Sequence, residues 1–128
     1  MPVLSLELAE SEVQKWMDAK KVRASIRESN KDNIDGLVEG FKDGLLTLHD
    51  DNIIKQTLIH PIEGLKTIEY KSRLTAQDKS KHLSKAGNDV HAQITALLAA
   101  LSGQNSGMLM KLDTDDVAVI RSLTSFFF

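Results

Sequence analysis

Cysteine is absent, which excludes disulfides, thiol chemistry and thiolate zinc sites and is compatible with a reducing compartment. One Trp and one Tyr are too few to stack successive nucleic-acid bases. No apolar run nears the roughly 18 residues needed to cross a bilayer. The opening Met1-Pro2-Val3-Leu4-Ser5-Leu6 has neither the basic start nor the long apolar stretch of a signal peptide. A net charge of −2 supplies no global attraction to polyanions. Gly-rich phosphate loops, the G-x-S-x-G elbow and other activated nucleophiles are missing, so no enzyme and no cofactor is expected. The histidines at 49, 60, 82 and 91 form no ligand pattern on one helix face, and His82 with Asp78 reads as a surface pair.

What is present suffices for a core. At 128 residues and 41% apolar content, the chain makes one domain, or one domain with a helical extension. Residues 1–31 read as helical, with Ser11 and Gln14 as a capping box and Val13, Trp16 and Met17 on one face. Cations crowd the segment from Lys15 to Lys31, which reads either as a solvated face or as a basic helix for an acidic partner or nucleic acid. A short helix follows, with Ile34, Leu37, Val38 and Phe41 at helical spacing. Gly36 and Gly40 each weaken it by roughly 1 kcal/mol relative to Ala and point to close approach by another backbone.

From Gly44 the period becomes strand-like. Leu45–Leu48 and Ile53–Ile59 flank a polar loop as a hairpin, and His60-Pro61 is expected to stop the second strand. Thr67–Leu74 alternates, with Ile68, Tyr70, Ser72 and Leu74 on one face. Thr75 caps a polar helix that runs to Gly87. Asn88 or Asp89 then starts an apolar helix on Val90, Ile94, Leu97, Leu98 and Leu101, closed at Gly103. The expected class is α+β: a small three-stranded antiparallel sheet packed by C-terminal helices. Residues 1–43 form an N-terminal helical extension, and 44–128 form the main unit, the two making one compact body.

The final helix opens at Leu112-Asp113-Thr114-Asp115-Asp116 and carries Val117, Ile120, Leu123 and Phe127 on one side. A calcium loop starting at Asp113 fails, because Ala118 and Thr124 stand where Gly and Glu are required. Asp113 and Asp116 are read as helix-cap carboxylates, favoured by the macrodipole by about 0.3–1 kcal/mol each. Phe126-Phe127-Phe128 cannot all face one core, since helical neighbours lie about 100° apart. Either the last turn tucks under the sheet, or Val117, Ile120, Leu123, Phe126, Phe127 and Phe128 form a surface for a partner or a second copy.

From about Ile54 onward the chain resembles the small tail assembly chaperones of long-tailed bacteriophages of the Mu-like and lambda-like kind. The resemblance is carried by His60-Pro61-Ile62 after a strand, the strand Ile68–Leu74, Asp78 at a helix start, the helix Ile94–Leu101 with Gly103, Leu112-Asp113-x-x-Asp116, and the terminal Phe run. It covers about three-fifths of the chain and leaves residues 1–43 outside. It implies a non-enzymatic factor of the host cytoplasm, absent from the mature virion, that binds the tape measure protein and helps recruit tail tube protein. It also implies a longer form made by ribosomal frameshifting, for which a U tract encoding the three Phe would be a slippery site. The alternatives are a structural tail or baseplate protein, and a small nucleic-acid-binding regulator using the basic helix.

Overall fold

The computed structural model describes residues 3–128, and within them the fold is α+β, with seven helices and one three-stranded antiparallel sheet. Helix α1 (Leu6–Lys20) starts at Ser5, whose Oγ accepts the Leu8 N–H at 3.2 Å. Ser11, expected as the cap, lies inside α1, because the buried stripe begins earlier, at Ala9, and continues through Val13, Trp16 and Met17. Lys21 in the left-handed region (φ 63°) ends α1, so the expected single helical segment is broken. Helices α2 (Ala24–Ser29) and α3 (Lys31–Lys42) follow, and α3 buries Leu37, Val38 and Phe41.

The sheet runs β1 (Leu46–His49), β2 (Ile53–Ile62), β3 (Leu65–Tyr70), paired in that order. Strand β2 continues past the expected stop at Pro61. The β2–β3 register shifts between Thr57 and Ile62, so the missing proline N–H falls where the ladder is already irregular. Strand β3 ends at Tyr70, short of the expected Leu74, because the Lys71 N–H donates to the Leu101 carbonyl at 3.0 Å.

Helix α4 (Ala76–Leu83) is capped by Thr75 as expected but stops before Gly87. Helix α5 (Val90–Ser102) is capped by Asp89 and closed by Gly103 at φ 75°. Val90 opens its first turn and is exposed, outside the buried stripe. A one-turn helix α6 (Ser106–Leu109) forms in the connection after α5, with Asn105 Oδ1 accepting the Met108 N–H at 2.7 Å. Helix α7 (Thr114–Thr124) is last.

One hydrophobic cluster joins α1, α3, the sheet, α5 and α7. The fully buried Trp16 ring of α1 meets Phe126 edge-on, centroids 5.4 Å apart at 80°. The N-terminal helices therefore build the same core as the sheet, and the boundary expected at residue 43 does not divide it.

Candidate functional site

Asp116 departs furthest from its expected role. It is fully buried, and its carboxylate does not cap α7. Oδ1 accepts the Ile59 N–H at 2.6 Å and Oδ2 the His60 N–H at 3.0 Å, both from the irregular stretch of β2. The reason is placement: in the first turn of a helix packed on β2, a carboxylate is held against backbone donors that the shifted ladder leaves free. Gln56 Nε2 donates to the Asp116 carbonyl at 2.8 Å, and Tyr70 Oη donates to Gln56 Oε1 at 2.8 Å. Burial, and then the Asp116 charge, push the Tyr70 hydroxyl well above its ordinary value, so it stays a donor. Sequence reasoning missed this relay. The available signal was Gln56 between Ile54 and Leu58 on the inward face of β2, a polar side chain that needs a buried partner.

Asp113 is the N-cap of α7, accepting the Asp115 N–H at 2.9 Å. His60 Nε2 lies 3.1 Å from Asp115 Oδ2 and 3.9 Å from Asp113 Oδ1. The hydrogen bond to Asp115 is the main cause of a raised His60 pKa, with burial opposing it and the Asp113, Asp115 and Asp116 charges adding to it. His60, Asp113 and Asp115, all exposed, could offer one ligand atom each to a cation, all within 4.8 Å of one another. The cluster joins a strand to a helix, so it left no local spacing to read. It sits at the positive end of α7, and Asp113 Oδ1 is already occupied by a backbone N–H, so the arrangement serves as a cap and a His–Asp bridge.

The residues expected to form a partner surface separate by burial. Ile120 and Leu123 are 0% exposed, and Phe126 and Phe127 are buried, so these four are core in the folded chain. The apolar side of α7 is consumed by packing on α3, β2 and α5. Lys20 covers Phe127, its Nζ 3.9 Å from the ring centroid and 2.8 Å from the Ser72 carbonyl. Burial, with Arg73 second, lowers the Lys20 pKa. Phe128 remains 60% exposed, and Val117 is half-buried.

Open apolar surface lies instead beside α5. A cleft of about 500 Å³ separates α4 from α5 and reaches residues 104–106. A second, of about 320 Å³, lies between α5, α6 and α7 and includes Val117. Thr95 and Met110 line both clefts, and Met110 is 70% exposed.

No protein-family model, curated protein or solved structure matches the chain.

Proposed function

We propose that this chain is a non-enzymatic phage tail assembly chaperone that binds the tape measure protein in the host cytoplasm and helps recruit tail tube subunits. The observation that carries the reading is the pair of apolar clefts beside α5, which remain open in the folded chain with Met110 standing between them. Keeping a long apolar helical protein soluble requires such surface and no reacting group. A second support is local. His60-Pro61-Ile62 and Asp113-x-x-Asp116, far apart in sequence and both part of the resemblance, are tied together by the Asp116 carboxylate.

Co-expression with the tape measure protein is expected to yield a soluble complex of the two. Insoluble tape measure protein and no co-purification would overturn the reading. Mass spectrometry of purified particles is expected to lack the chain, and its presence there would favour a structural tail component. The longer form requires an uninterrupted U tract over the Phe codons with an overlapping −1 frame; UUC at the first two codons removes it.

The nucleic-acid reading loses its continuous basic helix. Lys21 breaks α1, Lys20 is turned onto Phe127 and Ser72, Arg27 bonds Asp18 at 2.9 Å, and Lys31 pairs with Glu28 at 3.0 Å.

A further inference from the structure

We propose that the two clefts along α5 form one docking groove for an acidic amphipathic helix. The inference rests on the helix-binding role proposed above and specifies its face and the chemistry of its ligand.

The floor is apolar and shallow. Ala92, half-buried, and Ala96 and Ala99, both buried, line the first cleft, and their small side chains leave a recess there for a partner's larger ones. Ile94, Leu109 and Val117 line the second. Thr95 and Met110, common to both, place the two clefts side by side along α5. Met110 is a flexible thioether side chain suited to adapting to an incoming apolar surface. A helix of two to three turns, roughly 11–16 Å long, is the compact element that brings apolar side chains at i, i+3, i+4 and i+7 to such a strip.

The rim decides the partner's charge. Lys81, His82 and Lys85 of α4 and its following turn line one side, and His91 and Arg121 line the other. No Asp or Glu lines either cleft. Lys81, Lys85 and Arg121 are exposed and make no ion pair among the described residues. The whole chain carries a net −2, so its global field favours a basic ligand. A groove whose charged lining residues are Lys81, Lys85 and Arg121 reverses that preference locally, and this reversal is what separates specific docking from general electrostatics.

The test uses the full-length protein and two synthetic amphipathic helices with the same leucine stripe, one with a glutamate polar face and one with a lysine polar face. Fluorescence anisotropy at low salt is expected to show the glutamate helix binding at least about tenfold tighter, with the margin shrinking as salt is raised. The double variant Lys81→Glu/Lys85→Glu is expected to invert the order. Met110→Glu is expected to weaken the glutamate helix in particular. All three positions are exposed, so circular dichroism should show these variants folded. Equal affinities, no binding of the glutamate helix, or binding indifferent to these substitutions would overturn the groove.

The tape measure protein is titrated beside the peptides. If wild type and Lys81→Glu/Lys85→Glu bind it equally, the groove assignment falls and the chaperone reading stands. If wild type does not bind it while the peptides behave as expected, the groove stands and the chaperone reading falls.

Discussion

At the scale of single residues, the neighbouring aspartates of α7 do different work. Asp113 satisfies one N–H at a helix start, a task usually worth about 1 kcal/mol. Asp116 accepts two backbone N–H groups of β2 from a fully buried position, and charge-assisted bonds of this kind are worth about 1.5–3 kcal/mol each. Asp116→Ala is therefore expected to destabilise the protein by about 3 kcal/mol and Asp113→Ala by about 1 kcal/mol, both read from urea unfolding. Equal losses would mean that the clamp on β2 adds nothing beyond a cap. His60 offers a pH-dependent check on the same corner. Its pKa is raised in the folded state, chiefly by Asp115, so its stabilising bridge is fully present below the unfolded value of about 6.5 and is lost as pH rises through the folded value. An NMR titration should place His60 above the ordinary imidazole value of about 6.5, and Asp115→Asn should bring it down. None of this was visible in sequence, where the three aspartates at 113, 115 and 116 all read as carboxylates at a helix start. Only the burial of α7 against an irregular strand distinguishes them.

At the scale of elements, the legible helices were those whose caps and stripes coincide, and the misread ends were set by distant partners. Helix α5 runs from its Asp89 cap to its Gly103 stop because both signals are local. Strand β3 stops at Tyr70 because α5 takes the next N–H, a competition no local pattern records. The glycines of α3 lie between these cases. Their spacing suggested close approach by another backbone, but the close neighbours are side chains: Ser122 of α7 for Gly36, and Leu46 of β1 for Gly40. A Cβ on Gly40 would stand 2.6 Å from Leu46 Cδ1 and 3.0 Å from its Cγ, and Leu46 is fully buried with nowhere to move. Overpacking of about 1–3 kcal/mol outweighs the roughly 1 kcal/mol gained in helix propensity, so Gly40→Ala should be net destabilising. At Gly36 the obstacles are the hydroxyl tip of half-buried Ser122, which can rotate away, and its Cβ at 3.3 Å, which has to give by only a few tenths of an ångström. Gly36→Ala should be neutral or stabilising by up to about 1 kcal/mol. Thermal unfolding of the two variants side by side checks this, and a loss at Gly36 matching that at Gly40 would contradict it.

At the scale of the whole molecule, the α+β class and the three strands were readable from the change of hydrophobic period at Gly44, and one compact body was expected, but the contacts that join its two parts were not legible. Trp16 showed an apolar face without showing what it faces. In the fold it lies edge-on to Phe126, a contact spanning nearly the whole chain, and it explains why two of the three terminal Phe are buried. Further bonds fasten the N-terminal helices to the rest. Lys20 reaches the Ser72 carbonyl at 2.8 Å, and Asn52 Nδ2 donates to the Trp16 carbonyl at 3.0 Å. Removing residues 1–43 would strip Trp16, Leu37 and Phe41 from the sheet and α7, exposing Leu46, Ile120 and Leu123 together. Losing three or four fully buried large side chains at about 3–5 kcal/mol each costs about 9–20 kcal/mol, which matches or exceeds the roughly 5–15 kcal/mol that a domain of this size has available. The fragment 44–128 is therefore expected to show no cooperative thermal transition and to aggregate, whereas the full chain unfolds in one step. Deleting Phe128 alone, which is mostly exposed, should change stability by less than about 0.5 kcal/mol. Phe126→Ala should cost about 3–5 kcal/mol, because its ring closes the core over Trp16. A stable, cooperatively folding 44–128 fragment would instead make the N-terminal helices a separable appendage.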